Sequence, residues 1–403
     1  MSGLTILRPQ AAILRKEVKC MADKPDCEKG EKGTDRNKEG IAYGMLGIVL
    51  NFFLFGAKYF AGAITDSIAI IADAFNNLSD AGSSFITMVG FYLAGKKPDS
   101  DHPYGHARYE YISGFVVSLA IILMGIELAR SSIVKILHPV KPDTDTVAIV
   151  ILIISIIVKA VMAGYNYFVG KRINSAAMKA TATDSISDMI TTSAALLSIL
   201  IIKHFGYNVD GYAGLLVAGF ILFAGFMAVK DTLDLLLGKT PSKEYLDKLE
   251  SIVMSYDMVL GVHDIMVHDY GPDRVMVSLH AEVPGEESVF VIHDVIDAIE
   301  RRLKDELGCD VTIHMDPVQI NDEAVMELRV RIENAIKNID SRITLHDFRV
   351  VTCDTHKNVI FDVVVPYKFK SDDASIMRMI EEEVYNIDGT LIPVITIDKS
   401  YVK

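Results

Sequence analysis

Residues 68–80 read Ile-Ala-Ile-Ile-Ala-Asp73-Ala-Phe-Asn76-Asn77-Leu-Ser-Asp80, an apolar run that carries acid and amide side chains one helical turn apart. A second run, Asp184-Ser-Ile-Ser-Asp188, repeats the spacing inside another apolar segment. Residues four apart share one face of a helix, so each run aims a pair of oxygen-bearing side chains in one direction. An ionised carboxylate at membrane depth costs roughly 2.5–3.5 kcal/mol even on insertion scales. Something positive must offset that cost, and a divalent cation held between the two helices would do so.

Working outward, six apolar spans of near-membrane length lie at about Ile41–Thr65, Ser67–Leu93, Ile112–Ala129, Thr146–Val169, Ser185–Ile202 and Tyr212–Val229. Asp73, Asn76 and Asp80 fall inside the second, and Asp184 and Asp188 open the fifth. Lys58 and Lys159 are expected to snorkel towards the interface. Lys96, Lys97, Arg108, Lys171, Arg172 and Lys179 cluster in the connections after spans two and four, which places both termini in the cytoplasm. Residues 1–38 contain no apolar signal core and read as a flexible cytoplasmic tail.

Half of the 403 residues are hydrophobic, but that apolarity is concentrated before about residue 240. The net charge of −13 excludes nucleic acid as a partner and suits a protein that handles cations. Cys20, Cys27, Cys309 and Cys353 form no C-x-x-C pair, so no disulfide framework is expected, and the two tail thiols read as bystanders.

After Pro241 the pattern becomes soluble, α-β-β-α-β, and then recurs. Val262-His263-Asp264 matches Leu345-His346-Asp347, Val283-Pro284 matches Val365-Pro366, and Val311-Thr312-Ile313 matches Ile395-Thr396-Ile397. The expected fold is therefore an α-helical membrane protein: six transmembrane helices (39–240) followed by two tandem ferredoxin-like α+β cytoplasmic domains. The first copy spans 241–319, and the second, a degenerate copy, spans 320–403.

Asn76, Asp80, Asp184 and Asp188 form the candidate transport site. It is an oxygen-only set that suits a hard ion such as Mn²⁺ better than Zn²⁺, which recruits imidazole or thiolate more often. Asp184 is also open to reading as a helix N-cap, and Asp73 as a group behind the site. The loop Asp99-Ser-Asp-His102-Pro-Tyr-Gly-His106 offers a second, cytoplasmic candidate in Asp99, His102 and His106.

These paired acids, the histidine loop and the α-β-β-α-β domain together resemble the cation diffusion facilitator family over residues 39–319. The resemblance implies a homodimeric integral membrane exporter, of bacterial-type cell-membrane location, that exchanges a cytoplasmic divalent metal for protons by alternating access. It implies no enzymatic activity. The absence of histidine from the transport site resembles the manganese-exporting branch, with Fe²⁺, Co²⁺ or Zn²⁺ as alternative cargo. The family's domain-interface metal site carries over to His263, His280, His314 and Asp316, with His293 at a further position. In the second copy, Asp362 and Asp398 stand as the counterparts of His280 and His314. The chain departs from the family in that second copy. It also has Leu237 where an acid would pair with Arg108, leaving Asp234 as the substitute. Two readings from other classes compete with this one: a transport-inactive metal sensor or scaffold, and an intramembrane aspartyl protease, for which the Gly-x-Gly-Asp motif is missing.

Overall fold

The structure, a computed structural model, describes residues 27–65, 68–138, 146–205, 207, 209–272, 274–352, 356–366, 369 and 371–400. It divides into two units. One comprises the helices of residues 1–97 and 112–229; the other comprises residues 98–111 and 230–403.

Six long helices supply the first unit: α1 (Cys27–Thr65), α2 (Ile68–Ala94), α3 (Tyr109–Leu137), α4 (Thr146–Arg172), α5 (Ala176–Phe205) and α6 (Asp210–Leu236). At a rise of about 1.5 Å per residue each exceeds the roughly 30 Å of a bilayer core. Among the described residues, all but α2 are also apolar enough to cross a membrane by composition. Phe53, Phe60, Leu123, Phe168, Leu216 and Phe223 lie exposed along them, as a lipid-facing surface requires. Close packing comes from small residues. A Cβ on Gly40, Gly44 or Gly47 of α1 would come within 2.5, 2.9 and 2.7 Å of Phe91, Met88 and Ser84 of α2.

Two helix boundaries differ from the sequence expectation. Helix α1 begins at Cys27, so residues 27–38 continue the helix instead of forming a tail. Glu and Lys, which recur through this segment of the sequence, favour helix. Cys20 lies outside the described residues, as do the side chains of Cys27 and Asp73 and all of Cys353. Helix α5 begins at Ala176, where Ser175 Oγ accepts the N–H of Met178 at 3.1 Å. Ser175 thus supplies the cap, and Asp184 sits two turns inside the helix.

The second unit contains α7 (Lys243–Val253), β1 (Gly261–Asp269), β2 (Val275–Pro284), α8 (Val289–Leu307) and β3 (Asp310–Val318). It continues with α9 (Glu323–Ile339), β4 (Thr344–Thr352), β5 (Lys357–Pro366), α10 (Asp373–Ile387) and β6 (Leu391–Ser400). The strands form two sheets in the orders β1-β2-β3 and β4-β5-β6, each with one antiparallel and one parallel pairing. Leu249, Leu279, Ile299 and Leu303 fill the first core. Ile336, Phe361, Ile376 and Ile380 fill the second. Alternation along β2 and β5, and apolar stripes on the helices, produce both cores.

The register refines the repeat. His280 pairs with His314, and Asp362 pairs with Thr396. Thr396 is therefore the counterpart of His314, and Asp398 that of Asp316, two positions away from the sequence match at Ile395-Thr396-Ile397. Short apolar strands match at either register; only the backbone ladder separates them.

The β1–β2 turn meets the loop before α3. Gly271 adopts φ +113°, and a Cβ there would come within 2.6 Å of the Ala107 backbone. Arg108 donates to the Asp269 carbonyl at 2.6 and 3.2 Å and lies 4.6 Å from the centroid of the Tyr270 ring. Asp234 makes no described ion pair with Arg108, which the backbone carbonyl of Asp269 and the ring already engage. Gly271→Ala should lower the midpoint of thermal unfolding by the equivalent of about 1–3 kcal/mol. Gly389→Ala, with nothing within 4 Å of the added carbon, should have a much smaller effect; equal shifts would show that the turn does not depend on this contact.

Candidate functional site

Helices α2 and α5 meet through hydroxyls, with Thr87 Oγ1 and Thr181 Oγ1 buried 2.8 Å apart. From this contact, two turns back along α2 lead to Asp80 and one turn forward along α5 leads to Asp184, followed by Asp188. One carboxylate oxygen from each of the three aspartates lies within 4.8 Å of the others. Asp80 is 6% and Asp184 3% exposed. Asn76, Asp80 and Asp188 line a cavity of about 510 Å³ together with Asn77, Lys58 and Lys159.

Lys159 corrects the snorkelling expectation. It is 3% exposed, and its Nζ donates to Asp80 Oδ2 at 2.7 Å and to Asp188 Oδ2 at 2.6 Å. Lys58 is equally buried. A lysine near the middle of an apolar helix cannot reach the interface, so a carboxylate is its available partner. Its depth, mid-way along Ile156-Ile-Val-Lys159-Ala-Val, was the available signal. Asp184 Oδ1, by contrast, is buried with no hydrogen-bond partner. An orphaned carboxylate oxygen beside two others is a costly arrangement without a cation. The donor set is therefore suited to a divalent ion that takes oxygen ligands.

The loop before α3 brings together Asp99, His102 and His106. Asp99 Oδ1 is 3.4 Å from His102 Nδ1, and Asp99 Oδ2 is 3.4 Å from His106 Nε2. The His102 N–H bond to Asp99, foremost among several contacts, holds that carboxyl below its usual range. His106 is buried, and its Nδ1 has no hydrogen-bond partner.

In the first cytoplasmic domain, adjacent strands place His263, His280 and His314 in register. Asp316 gathers them: its Oδ2 lies 3.2 Å from His263 Nε2 and 2.9 Å from His280 Nδ1, and its Oδ1 lies 3.3 Å from His314 Nε2. Burial opposes a charge on the His263 ring, but Asp264 and Asp316 outweigh it and push its pKa up to about 10. Burial likewise opposes ionisation of Asp316, yet the two histidines hold its pKa below the usual value. His293 stands apart on α8, its Nδ1 3.8 Å from Asp297. Asp264 and Glu282 belong here as well, with no motif in the sequence to mark them. Asp264 follows His263 with φ +50° at an irregularity in β1. Glu282 is buried and accepts from Asp347 N at 3.0 Å and Arg329 Nη2 at 3.3 Å, joining the two copies.

Comparison with known proteins agrees with this architecture. The cation efflux transmembrane domain matches residues 44–237, and the cation efflux protein cytoplasmic domain matches residues 241–318. An uncharacterised transporter of Methanocaldococcus jannaschii is 35% identical over 260 residues, covering 64% of this chain and 92% of that protein. The manganese efflux system protein MneP of Bacillus subtilis is 23% identical, covering 70% and 98%. A cadmium, cobalt and zinc/H⁺-K⁺ antiporter of the same organism is 26% identical, covering 66% and 86%. With both domains matched in order, and nearly the whole of the archaeal relative covered, the chain belongs to the cation efflux (cation diffusion facilitator) family and is a divalent-cation efflux transporter of the membrane.

Proposed function

We propose that this protein exports Mn²⁺ from the cytoplasm in exchange for protons, with Asp80, Asp184, Asp188 and the Asn76 carbonyl oxygen as the transport site. The orphaned Asp184 oxygen beside two further carboxylates carries this reading, because an oxygen-only set favours a hard divalent ion. A relative that exports manganese supports the choice of cargo. A cadmium, cobalt and zinc antiporter among the relatives makes those ions the comparison set.

In the inward-facing state the cation enters from the cytoplasm, and Lys159 releases Asp80 and Asp188 to it. Rocking of the helices then exposes the site to the other side, where protonation of the carboxylates releases the ion. The carboxylates carry those protons back, and once the protons have left to the cytoplasm Lys159 pairs again with Asp80 and Asp188 in the empty inward-facing site. The protein works as a homodimer with both termini in the cytoplasm, in keeping with the basic residues of the connections after α2 and α4. The loop site at Asp99, His102 and His106 and the domain site at His263, His280, His314 and Asp316 bind the same class of ion on the cytoplasmic side. His293, apart from that cluster, is left to a solvent-facing role.

In proteoliposomes with an imposed pH gradient, Mn²⁺ flux should exceed Zn²⁺ flux, and Asp188→Ala should reduce it to the level of empty vesicles. Retained flux in that variant would remove the site assignment, and faster Zn²⁺ transport would remove the assignment of cargo. Lys159→Met takes away the tethered competitor. It should tighten Mn²⁺ binding about tenfold, or about 1.4 kcal/mol, in equilibrium dialysis, while slowing steady-state exchange. Unchanged affinity would show that the ammonium group does not compete with the metal.

A further inference from the structure

The two cytoplasmic copies meet around a second cluster, two of whose three residues lie beyond the matched cytoplasmic domain of residues 241–318. Asp264 of β1, Asp362 of β5 and Asp398 of β6 each place a carboxylate oxygen within 4.8 Å of the other two. Two of these residues belong to the second copy, and Asp264 crosses to them from the first. Both copies achieve the crossing in the same way. Asp264 at φ +50° and Asp347 at φ +48° follow the paired histidines of their strands, where the β1–β2 and β4–β5 registers shift. Among the described residues, no lysine or arginine forms an ion pair with Asp264, Asp362 or Asp398; the nearby Arg349 is taken by Asp347 and Arg329 by Glu282.

Three acids alone would show little, but a buried nitrogen ligand faces Asp264. His263 is 5% exposed, and neither of its ring nitrogens has a hydrogen-bond partner of acceptable geometry. Its Nδ1 lies 3.5 Å from Asp264 Oδ2, while Nε2 lies 3.2 Å from Asp316 Oδ2. The His346 ring stacks on it at a centroid distance of 5.0 Å and holds its plane. A cation that displaced the Nδ1 proton of this ring would leave the Nε2 proton directed at Asp316 and the Nδ1 lone pair towards Asp264. That is the carboxylate–histidine–metal arrangement that orients ligands in metal sites. The spread of the donors also fits one ion, since opposite oxygens on a divalent cation stand about 4.2–5.0 Å apart for bonds of about 2.1–2.5 Å.

We propose that Asp264, Asp362, Asp398 and the His263 Nδ1 bind a divalent cation that ties the second cytoplasmic copy to the first. Three carboxylates and one imidazole suit a first-row ion of the Mn²⁺ type. With its Nδ1 on this ion, His263 keeps its Nε2 proton on Asp316, which remains with His280 and His314 for the first copy's own site. This proposal stands independently of the transport reading.

The test counts Mn²⁺ bound per chain by equilibrium dialysis on the full-length protein in detergent, with Mn²⁺ alone as the probe. Asp362→Asn/Asp398→Asn, close in shape to the native pair, should bind one Mn²⁺ fewer than the unaltered chain. It should also lose part of the rise in unfolding temperature that Mn²⁺ confers. Asp188→Ala should keep this ion, which separates the site from the transport centre. In pulsed EPR, the amount of Mn²⁺ with imidazole ¹⁴N coupling should be smaller in the double variant than in the unaltered chain. An unchanged Mn²⁺ count in the double variant overturns the proposal. So does a metal-free double variant that is merely more heat-stable at the same count, since the acids would then only repel one another. Should the double variant fail to fold, Asp362→Asn and Asp398→Asn singly carry the same comparison.

Discussion

Carboxylates placed where water cannot solvate them set the terms for the membrane half of this protein. Asp80, Asp184 and Asp188 lie on two helices whose outer surfaces must face lipid, so every charge has to be answered from within. Lys159 answers two of the three directly. The Thr87–Thr181 contact holds the helices close enough for the acids to converge. The small residues of α1 let α2 approach it to backbone distance along Ser84, Met88 and Phe91. A site with an internal ammonium is never without a cation, and any ion that enters must be worth more to the carboxylates than the one already tethered there.

The cytoplasmic half solves a related problem by other means. Its two sheets have cores of ordinary aliphatic and aromatic packing, so each copy is stabilised by burial of apolar surface. What joins the copies is polar: Glu282 binds the Asp347 backbone and Arg329, and His263 stacks on His346. Buried polar links of this kind fix a mutual orientation because an unpartnered group would be costly. The aspartates at positive φ belong to the same junction. Aspartate tolerates the left-handed region better than most residues, so the turn that redirects each strand also supplies a carboxylate.

Much of this architecture is legible in the sequence, and for identifiable reasons. Apolar length predicts the long helices, and the switch at Pro241 to alternating strands predicts the cytoplasmic domains. One-turn spacing marks Asn76 with Asp80 and Asp184 with Asp188, since helical periodicity is a local property of the chain. The start of α1 was not legible, because a membrane helix that continues into charged residues changes in composition without changing in conformation. The register of β6 was also hidden, since short apolar strands match at more than one offset.

What the sequence by itself determined is therefore local and periodic: which segments are helix or strand, which faces carry oxygen, and that a small domain occurs twice. The tertiary structure alone decided which groups meet. Lys159 is 79 residues from Asp80 and 29 from Asp188, and Asp264 joins Asp362 and Asp398 across two separate sheets. Such contacts leave no period in a single chain. They arise when helices pack and strands pair, because burying a charge or a lone pair forces it to find its partner among residues that the sequence keeps far apart.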